Sequence, residues 1–199
     1  MSPLDSNERK LLLRLARQVI QTLAERGADE SMGLEHLPGR LGEPAGVFVT
    51  LRRGKHLRGC IGQLDPNTRL AAAVKHAARS AALEDPRFDS VRPEEVPELT
   101  IEISVLTPFE PIAAEDVVIG KHGLVIQQGN RRGLLLPQVA TEHGLSRERF
   151  LEETCVKAGL PPDAWRDRGT HIFAFAAEVF SEADYAENKS GANEMSAPQ

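Results

Sequence analysis

The sequence predicts an α+β fold: a mixed, mostly antiparallel sheet with flanking helices. Three observations predict it. Residues 47–64 read as a hairpin, two β-rich runs joined by a short turn containing Gly54. Several further strand candidates cluster between residues 99 and 136 without intervening helices. The order is therefore helix, hairpin, helix, strand, several strands, helix, strand, rather than the regular βα alternation of a doubly wound parallel sheet.

The first element is a helix. Leu12, Leu15, Ala16, Val19 and Leu23 recur at three- and four-residue steps and share a face, with Asp5 and Glu8 as an N-terminal box and Gly27 as the stop. Residues 28–46, rich in Gly and Pro, read as a long irregular connection. Val47 to Leu51 and His56 to Leu64 are the hairpin strands. A helix is expected from about Thr68 to Leu83, with Asp65 and Pro66 as cap and first turn. Its inner face is small: Ala73, Ala77, Ala78 and Ala81 beside Leu70 and Val74, which lets the helix lie close to a neighbour. Three prolines limit residues 85–99 to a short turn near Glu94. Leu99 to Leu106 alternates, Ile101, Ile103 and Val105 opposite Thr100, Glu102 and Ser104, as a half-buried strand does. Val117 to Ile119, Leu124 to Gln128 and Gly133 to Leu136 are three short strand candidates, with Pro137 ending the run. Ser146 caps a helix to about Ala158 bearing Phe150, Leu151 and Cys155, and His171 to Phe180 reads as one long last strand.

Composition bounds the function. The 199 residues are 41% hydrophobic and 27% charged, which suits one globular domain, or one domain of two lobes, over residues 1–180. The segment 181–199 carries four acidic residues against one lysine and reads as a disordered acidic tail. No run approaches the ~20 apolar residues of a membrane span, and charges at Asp5, Glu8, Arg9, Lys10 and Arg14 break any secretory pattern. Two cysteines 95 positions apart, Cys60 and Cys155, form no disulfide framework and fit a reducing cytoplasm. The net charge of -5 argues against a nucleic-acid footprint. Six histidines stand in no metal-binding spacing, no CxxC occurs, and no phosphate loop is present, so no metal or cofactor is expected.

The stretch Leu57-Arg58-Gly59-Cys60-Ile61-Gly62 is the most unusual. Two glycines inside a strand cost backbone entropy, and mark a bulge or a close approach to the backbone. Period two puts His56, Arg58, Cys60 and Gly62 on one face unless a bulge shifts the register. Arg58 then lies about 7 Å along the strand from Cys60, where its charge would lower the thiol pKa. His56, about 13 Å away, is too far to serve as base. The plainer reading of Cys60 is a small buried hydrophobe, and Cys155 reads as core. His122, between Gly120 and Gly123, is either a cleft-facing ring or a solvated turn. Glu102 is a general-base candidate if its face is covered, and an ordinary solvated carboxylate if it is not.

The stretches GVFVTL (46–51), LRGCIG (57–62), DPRF (85–88), IEISVL (101–106), GKHGL (120–124), GLLLPQVA (133–140) and KAGL (157–160) together resemble the AMMECR domain, protein A of the prokaryotic AmmeMemoRadiSam system. The likeness runs from the first helix to about Phe180. His143-Gly144-Leu145 departs from it, where the family commonly has an aromatic residue. The resemblance implies two unequal lobes with a cleft between them, the larger built from both chain ends, and LRGCIG near that cleft. It also implies a pathway shared with a Memo-like protein and a radical SAM protein, but no settled activity.

Two readings of function stand at this stage. In the first the chain is a cleft enzyme acting on a small molecule or peptide-like group. Cys60 is then the nucleophile, His122 or Glu102 moves protons, and Arg58, Gly59 and Gly62 bind substrate. In the second it is a non-catalytic scaffold that recognises a peptide or protein. Nucleic-acid binding through the basic hairpin is the weakest reading.

Overall fold

The computed structural model describes residues 2–27, 39–65 and 67–189, with side chains to Tyr185. It contains helices and two antiparallel four-stranded sheets, an α+β fold. The chain divides into two compact units, Met1–Val105 with Val179–Gln199, and Leu106–Glu178.

In the first unit, helix α1 (Ser6–Arg26) begins with a capping box between Asp5 and Glu8 and ends at Gly27, whose φ of 66° favours glycine. Strands β1 (Val47–Arg53) and β2 (His56–Gln63) form the expected hairpin. Helix α2 (Leu70–Leu83) follows, then a 3-10 turn at Pro93–Glu98 and strand β3 (Leu99–Leu106). Val47, Val49, Leu51, Ile101 and Ile103 are fully buried in a core that includes the inner faces of both helices. The alanines of α2 bring the helix so close to β2 that a Cβ on Gly59 would stand 2.2 Å from the Ala81 carbonyl oxygen.

Helix α2 starts two residues later than the sequence suggested. Asp65 caps a tight turn instead, accepting from Asn67 N at 3.0 Å and Thr68 Oγ1 at 2.9 Å. Pro66 and residues 28–38 lie outside the described residues.

The second unit holds β4 (Glu110–Pro111), β5 (Gly123–Gln128), β6 (Arg131–Leu135), α3 (Pro137–Glu142), α4 (Arg147–Lys157) and β7 (His171–Phe175), with its sheet in the order β4-β7-β5-β6. Helix α4 packs on β5 and β6 through Phe150, Leu151 and Cys155. Val117 to Ile119 is not a strand but the exit from a 3-10 turn at Ala114–Asp116. The helix α3 and the two-residue β4 had no clear sequence signal.

The last long strand is two strands. The backbone of Ala176 turns aside to bond Thr107, its N–H donating to Oγ1 and its carbonyl accepting from Thr107 N, both at 2.9 Å. Strand β7 therefore lies in the second sheet and β8 (Ala177–Ser181) at the edge of the first, in the order β2-β1-β3-β8.

Part of the segment expected to be a disordered tail is held in place. Glu182–Lys189 forms 3-10 turns. Arg17 Nε donates to Glu182 Oε1 at 2.9 Å, Ile101 N donates to Glu182 Oε2 at 2.9 Å, and Arg17 also binds the carbonyls of Val96 and Leu99. One carboxylate thus ties α1, β3 and the chain beyond β8 together. Tyr185 packs on the same core and carries the Lys10 ammonium over its ring.

Candidate functional site

The register of β2 decides what Arg58 can do. Leu51 faces Gly59 and Arg52 faces Leu57, so Arg58 is the extra residue of a bulge. Its side chain does not reach the Cys60 thiol as strict alternation predicted. It forks onto Glu95 instead, Nε and Nη2 each donating at 2.9 Å, and its other N–H groups reach the carbonyls of Asp89 and Ser90. Arg58 holds Glu95 well below the usual carboxylate range, at about 2.

A different arginine approaches Cys60. Asp85, its side chain only 2% exposed, accepts from Cys60 N at 2.8 Å and from Arg87 N at 3.1 Å. Arg87 Nε and Nη2 close a bidentate pair on it at 2.9 and 2.7 Å. Arg87 Nη2 also donates to the Cys60 carbonyl at 3.4 Å. Both backbone groups that Cys60 turns away from β1 are thus satisfied by two side chains, which continue the sheet where, among the described residues, no further strand is paired. Asp85 is held at about 2, chiefly by its hydrogen bonds to Arg87.

The Cys60 thiol itself is half-buried, and burial pushes its pKa up. Thr50 Oγ1, donating to Sγ at 3.3 Å, and the Arg87 charge oppose that shift, while Asp85 and Glu102 add to it. Cys60, Thr50 and Glu102 are register partners in one row across β2, β1 and β3, so thiol and carboxylate share a face. That face is not simply solvated: Thr50 and Ser104 are buried and Glu102 is half-buried. Cys155 is sealed in the core of the second unit, as expected.

His122 belongs to the second unit, where it closes its own turn. Val118 N donates to His122 Nδ1 at 3.2 Å while His122 N donates to the Val118 carbonyl at 3.0 Å. Burial and then Lys121 lower its pKa, which keeps Nδ1 available as an acceptor. The glycines of LRGCIG have packing reasons as well. Gly59 makes room for Ala81, and a Cβ on Gly62 would meet the Phe48 ring at 2.5 Å.

The candidate site residue that sequence reading passed over is Phe88. The Arg58 and Arg87 guanidinium carbons lie 5.9 and 5.5 Å from its ring centroid, both within cation–π range. This stack sits in a groove of about 580 Å³ lined also by Arg53, Asp89, Arg92, Glu94, Glu95 and Glu98, all of the first unit. The signal was present as DPRF, with Asp85, Arg87 and Phe88 in one tetrapeptide, but only the bulge at Arg58 brings LRGC onto it. Among the described residues no three His, Cys, Asp or Glu side chains could hold a metal ion together, and no helix is long and apolar enough to cross a membrane.

In this α+β unit the LRGC strand is thus tied to the DPRF loop through the bonds of Asp85 and Arg87 to the Cys60 backbone. The AMMECR1 family model matches residues 13–180, and the chain belongs to that family. It is 44% identical over 188 residues to a protein of Methanothermobacter thermautotrophicus, covering 91% of this chain and 97% of that one. It is 47% identical over 184 residues to a protein of Thermococcus gammatolerans, covering 87% and 89%. Among solved structures, an uncharacterised protein from Pyrococcus horikoshii superposes with a TM-score of 0.81 at 43% identity, covering 86% of this chain and 90% of that one.

Proposed function

We propose that this protein is a non-catalytic module that binds a peptide or an extended protein segment in the groove around Phe88. The observation that carries this reading is the Arg58–Phe88–Arg87 stack, set by the Asp85 and Glu95 carboxylates before any partner arrives. Arginine and aromatic side chains dominate binding hot spots, and fixing them in advance lowers the entropy lost on association. The net charge of -5 disfavours a nucleic-acid backbone as the partner.

The thiol-enzyme reading has less support. A nucleophilic cysteine needs its thiolate favoured, whereas burial raises the Cys60 pKa and Arg58 is committed to Glu95. His122 is engaged by Val118, and Gly59 and Gly62 are accounted for by Ala81 and Phe48. Segments of the Memo-like and radical SAM proteins implied by the resemblance are the natural partners to try first.

The test is selection of a random-peptide phage library on the immobilised protein, with counter-selection on Phe88→Ala. Peptides that bind the wild type and Cys60→Ala about equally, and Phe88→Ala at least tenfold more weakly, are the expected outcome, a single hot-spot side chain being worth ~1.4 kcal/mol or more. Recovery of no Phe88-dependent peptide contradicts the reading.

A further inference from the structure

Resting on that reading, we infer that the groove recognises a carboxylate, supplied by an acidic side chain or by the C-terminus of the bound peptide, and that Arg92 and the outer edge of Arg87 are the groups that hold it. Charge pairing inside the groove points there. Arg53 is bound to Glu98 and Arg58 to Glu95, while Arg58 takes the backbone carbonyl of Asp89 and feels its carboxylate only as a nearby charge. Those two carboxylates and two guanidinium groups are therefore largely spent on each other.

What is left is asymmetric. Arg87 uses Nε and Nη2 on Asp85 and on the Cys60 carbonyl, and its Nη1 has no partner among the described residues. The Arg92 guanidinium, exposed and five residues on, has no hydrogen bond or ion pair among the described residues. Against these, Glu94 and Asp89 are the carboxylates of the lining with no hydrogen bond or ion pair among the described residues, and Asp89 lends its charge to Arg58. The groove thus offers two unspent guanidinium edges, one beside an aromatic ring and oriented by a buried carboxylate. Planar N–H donors of this kind fit a carboxylate, with an apolar or aromatic neighbour of the ligand resting on Phe88.

The experiment uses the Phe88-dependent peptides from the selection, synthesised with a fluorescent label in matched pairs: each with its Asp, Glu or free C-terminus intact, and each with those groups replaced by Asn, Gln or an amide. Fluorescence polarisation against the wild type, Arg92→Gln and Glu94→Gln reads the affinity. The inference expects the neutralised peptides to bind about tenfold more weakly and Arg92→Gln to cost the acidic ones a similar factor. It expects the loss to shrink as salt is raised, and Glu94→Gln to leave binding equal or tighter. The thermal midpoint of Arg92→Gln should match that of the wild type, because the side chain supports nothing else. Phe88-dependent peptides that are basic, or that bind equally with their carboxylates neutralised, overturn the carboxylate inference and leave the binding module standing. Absence of any Phe88-dependent peptide overturns both.

Discussion

Asp85→Ala is expected to cost about 2–3 kcal/mol of stability, a fall in Tm of roughly 4–12 °C for a chain of this size. The loss has two sources. The N–H of Cys60 and the backbone N–H of Arg87 lose the acceptor that replaces a neighbouring strand, and the Arg87 guanidinium loses its bidentate partner. Arg87 is 53% exposed and can return to water, so the orphaned backbone carries much of the cost. Asp85→Asn keeps the shape but one oxygen fewer, and should lose about half as much.

The effect depends on pH in one direction. The folded-state pKa of Asp85 is depressed from 3.8 to about 2, so its contribution is complete above roughly pH 4 and disappears as pH falls toward 2. Thermal unfolding followed from pH 7 to pH 2.5 should therefore show the gap between wild type and Asp85→Ala closing below pH 4. A gap that stays constant to pH 2.5 would mean that the carboxylate charge is not what holds the loop.

Gly59→Ala is the second large effect, on the order of 3 kcal/mol, and it should far exceed Gly62→Ala at about 1 kcal/mol. A Cβ on Gly59 meets the Ala81 carbonyl at 2.2 Å, main chain that moves only if α2 shifts off β2. A Cβ on Gly62 meets the Phe48 ring at 2.5 Å, the end of a half-buried side chain that can turn away. Denaturant unfolding of the two variants separates the explanations. Equal losses would imply that the glycines serve backbone conformation or ligand approach rather than the closeness of helix and strand.

These positions also mark what the sequence could and could not disclose. Periodicity placed α1, β3 and α4, because each buries one face and its apolar residues recur at the helical or strand period, while β1 and β2 were legible as β-rich runs about the Gly54 turn. The capping box at Asp5 and the stop at Gly27 are local chemistry, and they were legible for that reason. Ala176 was not, because the break between β7 and β8 is made by Thr107, which is distant in sequence. Val117 to Ile119 looked like a strand because three β-branched residues in a row satisfy a strand pattern without any partner to pair with.

The candidate site divides in the same way. The sequence singled out LRGCIG, and DPRF stood out as one of the stretches that carry the family resemblance. Nothing in either string states that Asp85 would satisfy the Cys60 backbone, or that a bulge would carry Arg58 away from the thiol onto Glu95. A bulge is set by cross-strand register, which a single strand does not encode. Phe88 was missed because an aromatic residue after a helix reads as packing until two guanidinium groups are seen against it.

The central claim is that this face is built to hold a partner and not to activate sulfur. The most direct measurement is the rate of iodoacetamide alkylation at Cys60 against pH, read by mass spectrometry so that the buried Cys155 is distinguished. The account predicts an alkylation midpoint above that of free cysteine, near 8.5, and a rate at pH 7 slower than free cysteine. A midpoint below 8, with Cys60 reacting faster than free cysteine at pH 7, would contradict it and restore the thiol as the chemical centre of the protein.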